Sequence, residues 1–182
     1  VDNNLDVNVT YYWKVNVDDA YQDVISGVRG FMLFDVNQTQ DWNYTLGNKV
    51  ATIDISGNGH YMVAGSDNTV YLFDNYSNTP LWNYEANGVV VSVDISANGE
   101  YIAVADSSSE PSSIYFFNKN SSTPLWSFTQ SYSFDSIAIS ANGEYIFAGT
   151  VAGGRVYLFN KESGTPIWNY TLGNKVATID IS

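Results

Sequence analysis

The hydrophobic positions of this 182-residue chain fall into short runs separated by polar, glycine-containing stretches. Three runs, Val50–Ile55, Val89–Ile95 and Phe134–Ile139, each lead into a Ser-x-Asn-Gly turn, and a fourth run at 176–181 repeats the first. Asn-Gly between apolar runs is a strong hairpin signal, because both residues tolerate a positive φ. No segment sustains a 3.6-residue hydrophobic period. The pattern therefore predicts an all-β protein with essentially no helix.

Four tryptophans set the phase of a sequence repeat: they lie at intervals of 40, 44 and 42 residues, at Trp42, Trp82, Trp126 and Trp168. The fifteen-residue string WNYTLGNKVATIDIS occurs unchanged at 42–56 and at 168–182. Each interval alternates four segments rich in Val, Ile, Tyr and Phe with turns rich in Gly, Asn, Ser and Pro. Four antiparallel strands in about 42 residues match one blade of a β-propeller. A lone blade cannot bury both of its faces, so packing between neighbouring blades must supply the core.

We therefore expect a β-propeller array over residues 1–182, with blades at roughly 10–46, 50–86, 89–129 and 134–171. In the first, worn copy, residues 30–35 and Trp42 reproduce the third and fourth strands. Residues 13–17 and 21–26 could supply the first two strands, or 21–26 could be an innermost strand. The run at 176–181 is expected to be the innermost strand of a further blade. That blade could continue beyond Ser182 or be completed by a neighbouring copy, or the four blades could close on themselves.

Two segments resemble known propeller repeats. Residues 156–171, VYLFNKESGTPIWNYT, resemble the quinoprotein-type repeat, in which a tyrosine-bearing strand and a turn precede a docking tryptophan. Residues 139–149, ISANGEYIFAG, are similar to the Ser-x-x-Gly turn of tryptophan–aspartate repeats and of archaeal surface-layer propellers. The resemblance implies a propeller from about residue 30 onward, with structural docking of Trp42, Trp82, Trp126 and Trp168 between blades. The Trp-Asp dipeptide is missing, which disfavours an intracellular scaffold, and the fold alone does not fix the function.

The composition limits the classes of binding partner and the cell compartments that suit this protein. The formal net charge of −12 argues against nucleic acid, which demands basic patches. No run of 18 apolar residues predicts a membrane span, and the absence of cysteine excludes disulfides. Only 14% of the residues are charged, so solubility rests on neutral polar groups, which suits an acidic exterior. We expect an extracellular or cell-surface protein whose partners are other proteins, copies of itself or glycans.

N-glycosylation sequons give a second indication of an extracellular location. Because most of them fall in the turn before the outermost strand or on that strand, we expect them at the outer rim, where a glycan can be accommodated. The six candidates are Asn8, Asn37, Asn43, Asn75, Asn120 and Asn169.

The sequence contains few of the residue types that usually act in catalysis. The one histidine, His60, stands in a turn where the other repeats carry Glu100 and Glu144, which is typical of a surface residue. With no cysteine and one histidine, a soft-metal site or a nucleophile–histidine pair is nearly excluded. A quinone cofactor would need a cluster of cations, carboxylates and amides that seven Lys and Arg can hardly assemble. We therefore expect no catalytic residues and no cofactor.

Carboxylates recur near the end of the innermost strand, at Asp54, Asp94 and Asp180, with Ala138 in the third copy. A partial ring of acids there could hold a hard cation such as calcium. Alternatively, each Asp satisfies backbone N–H groups of its turn. Three further acids, Asp67, Asp74 and Asp106, stand at strand ends and are interpreted as turn formers.

The polar loop at 106–113 is longer than its equivalents, and insertions in repeat proteins often map to a binding face. It could equally be a tolerated surface insertion. Together these features favour a non-enzymatic extracellular propeller, a structural and binding module that could assemble through its terminal strand. The alternatives are a fragment of a quinone-dependent or polysaccharide-active propeller enzyme, and an intracellular interaction scaffold.

Overall fold

The computed structural model describes residues 30–34, 40–107 and 111–181. Within those ranges the chain forms fourteen β-strands and no helix. The prediction of an all-β protein is confirmed for this part of the chain. The predicted segments 13–17 and 21–26 lie outside the described residues.

The strands form one two-stranded ribbon and three four-stranded sheets, in which every pair is antiparallel and consecutive along the chain. The ribbon pairs β1 (Gly30–Phe34) with β2 (Gln40–Thr45). Sheet A contains β3 (Val50–Ile55), β4 (Tyr61–Ser66), β5 (Thr69–Asp74) and β6 (Trp82–Glu85). Sheet B contains β7 (Val89–Ile95), β8 (Tyr101–Ser107), β9 (Ser112–Asn118) and β10 (Trp126–Gln130). Sheet C contains β11 (Phe134–Ile139), β12 (Tyr145–Thr150), β13 (Arg155–Asn160) and β14 (Ser163–Thr171).

One turn design closes the first hairpin of each sheet. In sheet A the Ser56 hydroxyl accepts the Tyr61 N–H at 3.0 Å, and the Asn58 side-chain oxygen accepts the His60 N–H at 3.0 Å. Gly59 then takes a φ of 69°, which side-chain-bearing residues rarely adopt. Gly99 and Gly143 repeat this conformation in sheets B and C. The Ser-x-Asn-Gly signal in the sequence is thus a turn that supplies its own hydrogen bonds.

Each innermost strand carries a β-bulge near its start. The register shifts between Val50 and Thr52 in β3, between Val90 and Ser92 in β7, and between Phe134 and Ser136 in β11. An extra residue on one strand of a pair reverses the side-chain alternation beyond it. The bulge therefore places Thr52 and Ser92 where they reach the next innermost strand, and Ser136 where it reaches the segment at 176–181.

The core lies between consecutive sheets, and both faces of sheet B are buried. On β8, Ile102 and Val104 pack in the cluster shared with sheet A, whereas Ala103 and Ala105 pack in the cluster shared with sheet C. The same alternation on β9 sends Tyr115 and Phe117 one way and Ile114 and Phe116 the other. Period-two alternation explains why these strands read as continuous hydrophobic runs, since each face has its own neighbour.

The sheets approach one another most closely along their innermost strands. β3 lies against β7, and β7 lies against β11, whereas the outer strands of adjacent sheets make few contacts. Backbone hydrogen bonds also join the hairpin turns, from Asn58 N–H to Ala97 O at 3.1 Å and from Ala97 N–H to Ala141 O at 3.0 Å. The three sheets therefore converge at one edge and separate at the other.

The segment at 176–181, predicted to be the innermost strand of a further blade, belongs to no strand among the described residues, and the prediction of a further blade stays a prediction. Its backbone still follows the innermost edge of sheet C: Val176 N–H donates to Thr150 O at 3.2 Å and Ile179 N–H to the Ser136 hydroxyl at 3.2 Å. A β-strand is defined by a ladder of backbone hydrogen bonds with a partner. No described segment pairs with 176–181, so an identical sequence that is β3 at 50–55 remains unpaired here.

Candidate functional site

Side chains rather than backbone groups join the innermost strands of adjacent sheets. The hydroxyls of Thr52 and Ser92 accept N–H groups from Val93 and Ile137 at 3.3 and 3.2 Å. Two residues further along β3, a side-chain oxygen of Asp54 accepts the Ile95 N–H at 2.9 Å. Asp94 repeats this contact with the Ile139 N–H at 2.7 Å. The side chains of each innermost strand thus accept hydrogen bonds from backbone N–H groups at the edge of the next innermost strand.

Asp54 and Asp94 meet on a single N–H group. The Ile95 N–H donates to both carboxyl groups, at 2.9 Å in each case. Burial, and after it the neighbouring Asp54 carboxyl, raises the pKa of Asp94 to about 8. Two carboxyl groups that share one site cannot both ionise easily. The direction of this pKa shift favours the protonated form of Asp94 beside Asp54.

The recurring acids do not assemble into a cluster. Ala138 interrupts the series, and Asp180 is exposed and accepts the N–H of its own neighbour Ile181 at 2.8 Å. Across residues 30–34, 40–107 and 111–181, no three His, Cys, Asp or Glu side chains converge on a point that could hold a metal ion. Asp54 and Asp94 accept backbone N–H groups, as the second interpretation requires, but the groups of Ile95 and Ile139 lie on the next innermost strand and not in the turn that follows each acid.

Docking tryptophans join the outer parts of the sheets. The indole N–H of Trp82 donates to Lys119 O at 2.7 Å, and that of Trp126 donates to Lys161 O at 2.8 Å. Their rings lie 5.3 Å from Phe117 and 5.4 Å from Phe159 of the following sheet. Trp42 lies 5.8 Å from Phe73 in the same manner. Trp168 instead contacts Phe147 of its own sheet at 6.0 Å and is 44% exposed.

Asp106 is fully buried at the end of β8. Its carboxylate accepts the Gly88 N–H at 3.1 Å, the Ser113 N–H at 2.6 Å and the Tyr115 hydroxyl at 3.0 Å. Burial is the main cause that raises the pKa of Tyr115, so this phenol stays a hydrogen-bond donor. Asp106 therefore fixes the base of the 106–113 loop and the turn before β7. Residues 108–110, at the tip of that loop, lie outside the described residues.

Sequence reasoning interpreted Asp106 as a simple turn former and missed its burial. One signal was present: the equivalent positions in sheets A and C, Ser66 and Thr150, are also polar and also buried. A polar residue is needed there in every repeat because the chain leaves the sheet and its backbone N–H groups lose their ladder partners. The longer loop of sheet B has more such groups, and a carboxylate can accept more hydrogen bonds than a hydroxyl.

His60 lies on an open groove of about 430 Å³ between the turns of sheets A and B. Its ring stacks on Tyr76, with centroids 6.2 Å apart and planes inclined by 22°. The other side of the groove carries the ion pair between Glu100 and Lys119, whose charged atoms are 2.5 Å apart. The hydrogen bond from Lys119 to Glu100 raises the pKa of Lys119. This groove was not foreseen from the sequence, because it depends on the placement of two neighbouring sheets.

Residues 25–152 match the model of a family of unknown function, DUF5711. The chain belongs to this family. The matched segment covers the ribbon, sheets A and B and the first hairpin of sheet C, so the groove and the Asp54–Asp94 pair both fall within it. No curated protein matches the chain at a significant level. Within the part that the structure describes, no helix has the length and apolar character needed to cross a bilayer.

The described sequons of this DUF5711 member differ in accessibility. Asn43, Asn120 and Asn169 are exposed, whereas Asn75 is half-buried in the turn between β5 and β6. On β2 the half-buried Trp42 and Tyr44 flank the exposed Asn43, which follows from period-two alternation. Asn8 and Asn37 lie outside the described residues.

Proposed function

We propose that the chain is an array of β-propeller blades and serves as a non-enzymatic structural and binding module outside the cell or at its surface. The observation that carries this proposal is the convergence of sheets A, B and C along β3, β7 and β11, with the outer strands separating. Sheets that converge at one edge rotate about a common axis, as propeller blades do. Sheets of a flat sandwich would instead face one another over all their strands.

The contacts of the ionisable groups support a scaffold rather than a catalytic centre. Asp94 and Asp106 accept backbone N–H groups that hold adjacent segments together. Three described lysines form ion pairs, Lys119 with Glu100, Lys161 with Glu144 and Lys175 with Asp135. Side chains held in this way are already committed to folding contacts. The proposal therefore assigns them to stability and leaves binding to the loops and grooves.

The outer face of sheet C supports addition of a further blade. In the identical string that begins at Trp42 and at Trp168, Leu46 is 1% exposed and Leu172 is 57% exposed. The difference arises because sheet A covers the first copy, whereas no described segment covers the second. Trp168, Tyr170 and Leu172 thus present the same docking side chains that are packed elsewhere in the array. A further blade of this repeat fits that face.

Electron microscopy of the native protein tests the architecture. We expect projections that show blades arranged around a central channel, because the sheets converge on one axis. A straight rod of stacked sheets or a compact two-layer particle would contradict the propeller assignment. The number of blades in a ring, compared with the number in one chain, also reports whether several copies assemble.

Intact-mass measurement of native material tests the extracellular assignment. We expect excess mass equal to attached sugar residues, which the triple variant Asn43→Gln, Asn120→Gln, Asn169→Gln should reduce, since only the sequons at Asn8, Asn37 and Asn75 remain in it. Asn75→Gln is the matched control and should change the mass little, because a half-buried amide is a poor acceptor for a bulky glycan. A native mass equal to that of the sequence alone would count against an extracellular glycoprotein.

A further inference from the structure

The groove at His60 marks a place where the repeat departs from its own pattern. In sheets B and C a glutamate after the Asn-Gly turn pairs with a lysine after the third strand, as Glu100–Lys119 and Glu144–Lys161 at 2.5 Å. Each ammonium also lies over a tyrosine of the preceding sheet, Lys119 over Tyr61 at 4.9 Å and Lys161 over Tyr101 at 5.7 Å. The ion pair therefore belongs to the ordinary design of a blade junction.

In sheet A the two positions of this ion pair hold His60 and Asn75. Without a lysine, His60 stacks instead on Tyr76, whose position is occupied by Asn120 and Glu162 in the other repeats. Tyr76 is 81% exposed, so the stack contributes little to the core. Two neighbouring sheets fold with a charged pair at this place, so the fold does not require an aromatic pair. An exposed aromatic platform beside a groove points to a ligand.

The rest of the groove offers hydrogen-bonding groups that the protein does not use. Among the described residues, no protein atom pairs with the Tyr76 hydroxyl, the side-chain N–H₂ of Asn98 or the second carboxylate oxygen of Glu100. Asn58 fixes the spacing of the two turns, because its side-chain N–H₂ donates to Asn98 O at 3.1 Å. Donors and acceptors are thus mixed and held in place before any ligand arrives, which lowers the entropy cost of binding.

We propose that this groove binds a neutral sugar residue of a glycan, with the sugar ring packed on Tyr76 and His60. A sugar ring has an apolar C–H face that suits an aromatic platform, and hydroxyl groups that both donate and accept. An anionic ligand is disfavoured because Lys119 is already neutralised by Glu100 in a chain of net charge −12. A wholly apolar ligand would bury the polar rim without hydrogen bonds. This inference rests on the proposed binding-module function and names its ligand class.

The single histidine of the chain supplies a site-specific reporter. The His60 ring C–H resonances in NMR spectra would be followed while methyl mannoside, methyl glucoside and methyl galactoside are each added up to about 50 mM, which covers the millimolar affinity of a small ligand. We expect a saturable shift with at least one of them. Tyr76→Ala should weaken binding at least about tenfold, because it removes the stacking platform.

Matched variants decide the outcome. Tyr145→Ala removes another exposed tyrosine, which lies in sheet C away from the groove, and should leave the His60 shift unchanged. A shift that persists undiminished in Tyr76→Ala, or no shift with any of the three glycosides, overturns the proposal. A shift with adenosine in place of the glycosides also overturns it, since it would mean a planar aromatic ligand. A failed titration on particles that still show a ring of blades rejects the sugar site and leaves the propeller module intact.

Discussion

Replacing Asp106 with alanine is expected to lower the free energy of unfolding by about 3 to 5 kcal/mol, because three buried hydrogen-bond donors lose their common acceptor. The carboxylate is fully buried and accepts three hydrogen bonds, from Gly88, Ser113 and Tyr115. Alanine would leave these donors without an acceptor, and each unsatisfied buried group costs about 1 to 3 kcal/mol. Urea unfolding followed by tryptophan fluorescence measures the difference.

Two controls separate this network from a general effect of losing an acid. Asp180→Ala removes an exposed carboxylate and should change the stability by less than about 0.5 kcal/mol. Asp106→Asn keeps the size of the side chain and one acceptor oxygen, so its cost should fall well below that of alanine. Equal stabilities of the wild type and Asp106→Ala would show that the loop base does not depend on this carboxylate.

The periodicity of the chain was enough to predict the strands, because each repeat contains its own turn signals. Ser56, Asn58 and Gly59 act within one turn, so local sequence determines local structure. The bulge after Val50 was not predictable in this way, since one additional residue in an apolar run leaves no compositional mark. The unpaired segment at 176–181 shows the limit most plainly. The same string forms β3 at 50–55, where it pairs with β4, and belongs to no strand at 176–181, where no described segment pairs with it.

The candidate sites depend on distances between repeats, which a single repeat does not encode. Asp54 and Asp94 are 40 positions apart and meet only because β3 and β7 lie side by side. His60 looks like a surface substitution for glutamate until Tyr76 and the ion pair of the next sheet are placed around it. In both cases the sequence signal comes from comparing the repeats. A position that differs from its equivalents, as Ala138 and His60 do, marks the contact between sheets that differs from the others.

The protein is expected to lose stability as the pH rises from about 4 to about 8. The pKa of Asp94 is raised from its ordinary value of 3.8 to about 8, first by burial and then by Asp54. Between those values the folded state holds a proton that the unfolded state has released, so the free energy of unfolding decreases with pH. The contribution is complete below the lower value and lost above the upper one. Its slope should approach about 1.4 kcal/mol per pH unit.

Asp94→Asn tests the cause of this pH dependence. The amide resembles the protonated acid: its oxygen can accept the Ile139 N–H, and its N–H₂ can donate to Asp54, while the Ile95 N–H keeps its bond to Asp54. Urea unfolding across the pH range should show a flatter profile for Asp94→Asn and a higher stability than the wild type at pH of about 8. Asp180→Asn alters the same repeat position where the preceding repeat carries Ala138 in place of an acid, and should keep the wild-type slope. On β11 the position equivalent to Asp94 is Ala138. Asp54 is therefore the one acid at this repeat position of the adjacent innermost strands that faces Asp94.

A wild-type stability that increases with pH over this range would mean that Asp94 is ionised in the folded protein. The contact between the innermost strands would then be made by a carboxylate and not by a shared proton.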